Sequence, residues 1–231
     1  MEIAAAETLK SAKLPIWIDT KISEESSPRR YVTPSHLLAT KSDEPAMRSP
    51  RRAKNKNSFL RGNIIHKLLE VLPEFPKARR RDIAQTLVKG YPELKEGQGE
   101  KIIDEVFTVL DHPDFSDIFA EGSRAEISLA GSAKTLPEGM YLNAQIDRIC
   151  VSADKVFIVD YKSNRPSPKR IEDIAEIYLG QMAAYRELAR EIYPNRAVIC
   201  ALLWTDMPHL TVLPESVMDK ALQKLQSLPK S

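Results

Sequence analysis

The sequence predicts a sheet with helices against its faces, in an α/β or α+β arrangement, with an N-terminal helical segment. Three observations carry this. Residues 58–121 place apolar side chains at helical spacing. After Gly122 the pattern changes to short apolar runs of strand length separated by turn residues. One long helical stripe then separates two such runs, near 161 and 197.

Residues 1–57 read as a partly flexible lead-in, rich in Ser, Pro and charge, with short apolar stretches such as 14–18. Residues 58–231 read as one domain, helical over 58–121 and sheet-forming over 122–231. In its first helix Phe59, Ile64, Ile65, Leu68, Leu69 and Leu72 recur on one stripe, and Pro73 ends the run. Helices are expected next around 78–89 and 100–110, and a short one near 115–120. Residues 124–130, 140–152 and 155–161 read as strands, with turns near 137–139 and at Ala153-Asp154, and links this short favour an antiparallel meander. A helix is expected over 171–193, with Ile174, Ile177, Tyr178, Met182, Tyr185, Leu188 and Ile192 near one stripe. Strands follow at 197–205 and 209–213, and Pro214-Glu215 opens a final helix to about 228.

Composition excludes several classes. The chain has 231 residues, 42% hydrophobic and 29% charged, and no apolar run of membrane-spanning length. The first twenty residues carry Glu2, Glu7 and Asp19 and no signal-peptide pattern, so a cytoplasmic, nucleoid-associated location is expected. Cys150 and Cys200, the only cysteines, lie in strand-like runs and suit reduced core thiols rather than a four-cysteine metal site. The net charge is only +2, yet cations cluster: six between Arg48 and Arg61 with no acidic residue, a group at Lys77, Arg79, Arg80 and Arg81, and a third at Lys162, Arg165, Lys169 and Arg170.

The densest chemical signal is Gln145-Ile146-Asp147-Arg148 followed by Ile158-Val159-Asp160-Tyr161-Lys162. Each aspartate ends an apolar run that reads as a strand. A divalent cation needs hard oxygen ligands, and phosphodiester cleavage needs a water held and deprotonated beside it. Lys162, two residues beyond Asp160, emerges on the same strand face and suits a role in polarising that water. Arg165, Lys169 and Arg170 lie where a phosphate chain would approach. A metal-dependent nuclease is the reading these residues favour.

Asp147, then Asp160-Tyr161-Lys162, then Gln181 with Tyr185 four residues on, preceded by a helix bearing Arg61-Gly62-Asn63-Ile64-Ile65-His66, resemble the RecB-type nuclease domain of the PD-(D/E)xK superfamily. In order and spacing they resemble the nuclease domain of AddA-type helicase–nuclease subunits. The resemblance spans about residues 58–214, and more weakly 31–35. It implies a PD-(D/E)xK nuclease fold with a central mixed sheet. It implies Mg²⁺, with Mn²⁺ as an alternative, bound by His66, Asp147, Asp160 and the backbone carbonyl of Tyr161, with Lys162 assisting the water. Glu126 is then the further acidic residue of the site, and Gln181 and Tyr185 face the DNA, as do Arg61 and the third basic group. It also implies single-stranded DNA delivered by a helicase motor in cis in a larger protein, an AddB-like partner subunit, and double-strand break repair and recombination. Two departures stand out: Ala144 occupies a position where the family often has glycine, and no Gly-x-x-x-x-Gly-Lys-Ser/Thr stretch exists, so this chain carries no ATP site.

Blander readings stand beside these. Asp147-Arg148 also suits a structural ion pair, Asp160 and Lys162 a pair across a strand face, His66 a surface or core histidine, Glu126 an exposed strand carboxylate, and Tyr185 a core residue. Trp17 and Trp204 read as packing. The alternative at the level of function is a non-catalytic DNA-binding or interaction module on a nuclease-like scaffold. A third is a stand-alone domain whose lead-in docks on a helicase subunit, so that its isolated activity is weak and partner-dependent.

Overall fold

A computed structural model of the chain describes residues 30–34, 37–38 and 56–228. Trp17, the stretch at 14–18, Ser35 and the basic residues from Arg48 to Lys54 lie outside the described residues. The strands are β1 (Arg30–Val32), β2 (Arg124–Gly131), β3 (Met140–Val151), β4 (Lys155–Lys162), β5 (Ala197–Trp204) and β6 (His209–Val212). The α-helices are α1 (Lys56–Val71), α2 (Lys77–Lys89), α3 (Gln98–Leu110), α4 (Glu176–Ile192) and α5 (Glu215–Gln226).

The six strands of the described residues form one mixed sheet in the order β1-β3-β4-β5-β6, with β2 also on β3. The meander expected for β2, β3 and β4 is present, since both of its pairings are antiparallel. β4 and β5 are parallel, as a crossover through the long helix α4 requires. Alternate residues of β4 divide between two cores. Val156 and Ile158 pack with α4 and α5 through Met182, Leu188, Met218 and Leu225. Phe157, Val159 and Tyr161 pack with α1 and α3 through Ile65, Leu69, Ile103 and Val106. The sheet is therefore covered on both faces, which explains why β4 and β5 read as near-continuous apolar runs.

Three boundaries depart from expectation. Arg30–Val32 pairs in parallel with Met140–Leu142, and Leu37 and Leu38 are buried, so the domain extends into the segment read as a lead-in. Leu38 also explains Gly180 of α4, where a Cβ would sit 2.7 Å from Leu38 Cγ. Near 115–120 the chain makes only a 3-10 turn, Pro113–Phe115, because a segment so short cannot offset the cost of helix nucleation. The helix expected from 171 begins at Glu176, since Ile174 is extended and drops its side chain into the core. Cys200 is buried and Cys150 half-buried, both as free thiols, and burial pushes the Cys200 thiol up to about 12. Among the described residues no helix is long and apolar enough to cross a membrane.

Candidate active site

β3 loses its regular alternation where Asp147 sits. Leu142, Ala144 and Ile146 enter the core beneath α4 at every second position, and Ile149 then enters the same core after an odd step. Opposite this slip, the β2–β3 pairing skips from Ala125↔Arg148 to Ile127↔Ile146. The skipped β2 residue is Glu126, whose φ of 51° is a left-handed conformation uncommon for a non-glycine residue. Gln145 holds this kink: its Nε2 donates to the Glu126 carbonyl (3.0 Å) and to Glu126 Oε2 (2.9 Å), while its Oε1 accepts from Ser128.

The other edge of β3 opens at the same level. Its ladder with β4 ends at Arg148↔Val159, so Asp147 and Asp160 are the first residues beyond the last pair. β4 continues along β5 as far as Lys162↔Trp204, which keeps Asp160 and Lys162 on a rigid strand. Asp147 Oδ2 accepts the Tyr161 backbone N–H at 2.6 Å, satisfying a donor that the parted strand leaves free. Asp147 Oδ1 lies 3.4 Å from Nδ1 of His66, on α1. The His66 ring meets the Tyr161 ring edge-on at 5.7 Å.

Asp160 is 2% exposed. Its Oδ1 accepts from Gln181 Nε2 at 2.9 Å, and its Oδ2 makes an ion pair with the Lys162 ammonium but has no hydrogen bond. Gln181 uses its whole amide: one N–H goes to Asp160, the other to the Tyr185 hydroxyl (2.9 Å), and its oxygen accepts from Lys162 (3.1 Å). Tyr185 in turn donates to the Gln145 carbonyl at 2.6 Å. Gln181 and Tyr185 are 7% and 2% exposed, and their polar atoms are bonded within the site. α4 packs on the sheet and turns both inward, where Gln181 holds Asp160 and Lys162 and Tyr185 ties Gln181 to β3.

Electrostatics follow from this crowding. Burial raises the Asp160 carboxyl to about 6 against the pull of Lys162, and Asp147 adds to the rise. Burial also opposes the charge on Asp147, but His66, Lys162 and the Tyr161 N–H together hold the carboxyl below its ordinary value. His66 is lowered by burial and raised more by Asp147, for a net rise. Burial lowers Lys162, but Asp160, Tyr178 and Asp147 together leave it raised. Glu126 is raised by burial, eased by its bond to Gln145, with Asp147 and Glu70 adding to the rise.

Arg148 does not pair with Asp147. It is fully buried beneath α1 and donates to Tyr161 Oη (2.8 Å), Ser123 Oγ (2.7 Å) and the Leu69 carbonyl (3.0 Å), with its guanidinium 5.1 Å from the Phe119 ring centroid. Arg61, expected on DNA, is also engaged internally. It binds both oxygens of Glu105 and the Ser163 carbonyl, because α1 runs close to the chain leaving Lys162. Gly62 permits that approach, since a Cβ there would lie 2.8 Å from Ser163 Oγ. Arg165 is 55% exposed and bridges Glu105 and Asp206; Arg170 pairs with Asp173, and Lys169 is exposed. Sequence reasoning missed Glu105, which also accepts from Thr205 at 2.7 Å. It stands in the middle of α3 with no motif around it, and its partners are 44, 60 and 100 residues away.

Among the described residues no three His, Cys, Asp or Glu side chains are grouped closely enough to hold a metal by themselves. The donor set nonetheless suits a hard cation that retains several waters: two carboxylates, one with a buried oxygen lacking a hydrogen bond, and an imidazole beside the other.

The sequence profile described as PD-(D/E)XK nuclease superfamily matches residues 25–226. No curated protein matches the chain. Among solved structures, a candidate exonuclease from Eubacterium rectale is 14% identical with a TM-score of 0.47, over 74% of this chain and 64% of that one. This chain thus spans less than two thirds of that neighbour's length. SSO0001 is 13% identical with a TM-score of 0.32, over 90% of this chain and 82% of that one. At these values neither likeness bears on the site.

Proposed function

The chain belongs to the PD-(D/E)XK nuclease superfamily, and from that premise we propose that it is a Mg²⁺-dependent deoxyribonuclease acting on single-stranded DNA. The observation that carries the reading is the buried Asp160, with one carboxylate oxygen lacking a hydrogen bond, set between Lys162 and the parted strand that carries Asp147. Asp147, Asp160, His66 and the Tyr161 carbonyl would hold the cation, which when bound supplies charge stabilisation and acidifies a water. Asp147 is fixed for this by the Tyr161 N–H, and Asp160 by Gln181. Lys162 carries a positive charge on the Asp160 side of the site and orients the attacking water or balances charge on the cleaved phosphate. Glu126, held by Gln145, adds a carboxylate near Asp147. The exposed Lys169 offers a cation to the DNA backbone beyond β4, and Arg165 and Arg170 would join it by exchanging their carboxylate partners for phosphates.

In the same reading the chain is the nuclease part of an AddA-like helicase–nuclease. The motor is in cis, an AddB-like subunit is the partner, exonucleolytic action is the mode, and double-strand break repair is the process. Motif order from His66 to Tyr185 is what supports this.

Cleavage of 5′- and 3′-labelled single-stranded DNA with Mg²⁺, with Mn²⁺ and with EDTA tests the proposal. Metal-dependent cleavage that Asp160→Ala abolishes, with DNA retention on filters largely kept, is the expected outcome. Wild-type protein that binds DNA but never cuts it, with either metal, would leave only a binding module.

A further inference from the structure

We propose that Tyr178 is a positioning residue for the Lys162 ammonium, holding it over the face of its ring and fixing the chain that follows through its hydroxyl. The inference rests on Lys162 acting in cleavage. The Lys162 ammonium has three N–H donors. It donates to Gln181 and makes an ion pair with Asp160, and Nζ lies 4.2 Å from the centroid of the Tyr178 ring, within cation–π range. The Tyr178 hydroxyl donates to Asn164 Oδ1 at 3.0 Å, two residues beyond Lys162. The ring is braced from behind by Trp204, edge-on at 6.3 Å, and Trp204 is itself buried and bonded through Nε1 to Thr211.

Helical spacing explains why one helix does all of this. Tyr178, Gln181 and Tyr185 are three and then four residues apart, so they form a single stripe of α4. Each member touches a different part of the same centre: Tyr178 the lysine, Gln181 both the lysine and Asp160, Tyr185 the backbone of β3. A tyrosine there only to fill space would need neither its hydroxyl on Asn164 nor its face toward a cation. A lysine side chain has four rotatable carbons, and a π-face is a contact that holds the ammonium without neutralising its charge.

The experiment replaces Tyr178 in the full chain by Phe, by Leu, and by phenylalanines of increasing fluorination, which keep ring size while draining the π-face. Single-turnover cleavage at saturating DNA is read beside DNA affinity, and the Lys162 ε-methylene resonance is followed by NMR in selectively labelled protein. We expect Tyr178→Leu to slow cleavage about three- to thirtyfold, the range set by a desolvated cation–π contact. DNA affinity should hardly change, and the rate should fall stepwise with fluorination. Phe should retain most of the rate, losing only the tie to Asn164. The Lys162 methylene should lie upfield in the wild type and move downfield in the Leu variant. A rate indifferent to fluorination, or a methylene at the position of free lysine in the wild type, overturns the proposal. A displaced methylene in a wild-type protein that cuts no DNA would keep the contact and refute the nuclease reading instead.

Discussion

Tyr185→Phe isolates one hydroxyl in the chain of bonds that holds the site. The ring stays and no cavity opens, because Phe fills the same volume. The change removes one acceptor, for Gln181 Nε2 at 2.9 Å, and one donor, to the Gln145 carbonyl at 2.6 Å. Tyr185 is 2% exposed, so water does not readily replace the lost oxygen. Stranding buried polar partners costs about 1–3 kcal/mol. For a domain of this size that corresponds to a fall in melting temperature of roughly 2–12 °C. Gln181 loses the bond that fixes which way its amide faces, and with it the simultaneous grip on Asp160 and Lys162. Cleavage should therefore slow further, by about tenfold, as expected when catalytic groups lose about 1.4 kcal/mol of positioning. Urea unfolding at constant m-value reads the first effect and single-turnover cleavage the second. A double-mutant cycle with Gln181→Met then asks whether the two residues act as a unit. Strict additivity, or a Tyr185→Phe protein as stable and as fast as the wild type, would refute the relay.

Four further outcomes follow from the structure. Lys162→Ala should lower the cleavage rate by about 10²–10⁴-fold, the usual span for a positioned proton-handling or charge-balancing group, with little loss of metal affinity by calorimetry. Arg148→Met should destabilise by about 3–5 kcal/mol in urea, because Tyr161 Oη, Ser123 Oγ and the Leu69 carbonyl all lose a buried charged donor. Gly62→Ala should slow cleavage by pushing Ser163 away, and adding Ser163→Ala should restore it, since only Ser163 Oγ lies inside 3 Å of the new methyl; no rescue by cleavage assay would dismiss the contact. Metal-free protein should melt higher at pH 5 than at pH 8. The folded state raises Asp160 to about 6 from 3.8 and also raises His66, so both favour the folded state when protonated. That stability is full below the unfolded pKa and lost as pH rises through the folded one, while the opposing loss from Asp147 begins only at more acid pH. Scanning calorimetry in EDTA reads this, and Asp160→Asn should flatten the slope.

How much of the site was legible depended on sequence separation. Asp160 and Lys162 share a strand face at the strand's own period of two, and Tyr178, Gln181 and Tyr185 share a helix stripe, so local geometry alone placed each group on one side of its element. What each stripe faced was not local. Tyr185 reads equally as core or as substrate contact until α4 is laid on the sheet, and only then does its hydroxyl find a carbonyl 40 residues away. Arg61 and Arg165 read as free cations because nothing adjacent to them is acidic, whereas Glu105 reaches them from another helix.

Periodicity and turn residues determined which segments became helices and strands, because hydrogen bonding and side-chain direction repeat with the backbone. They also placed two aspartates and a lysine on neighbouring strands. Only the tertiary structure decided where those strands part, that Glu126 kinks beside Asp147, and that Arg148 is buried against neutral partners. These depend on packing two helical layers against opposite faces of one sheet. Burial and the pairing of distant polar groups are properties of that whole arrangement and of no single stretch of chain.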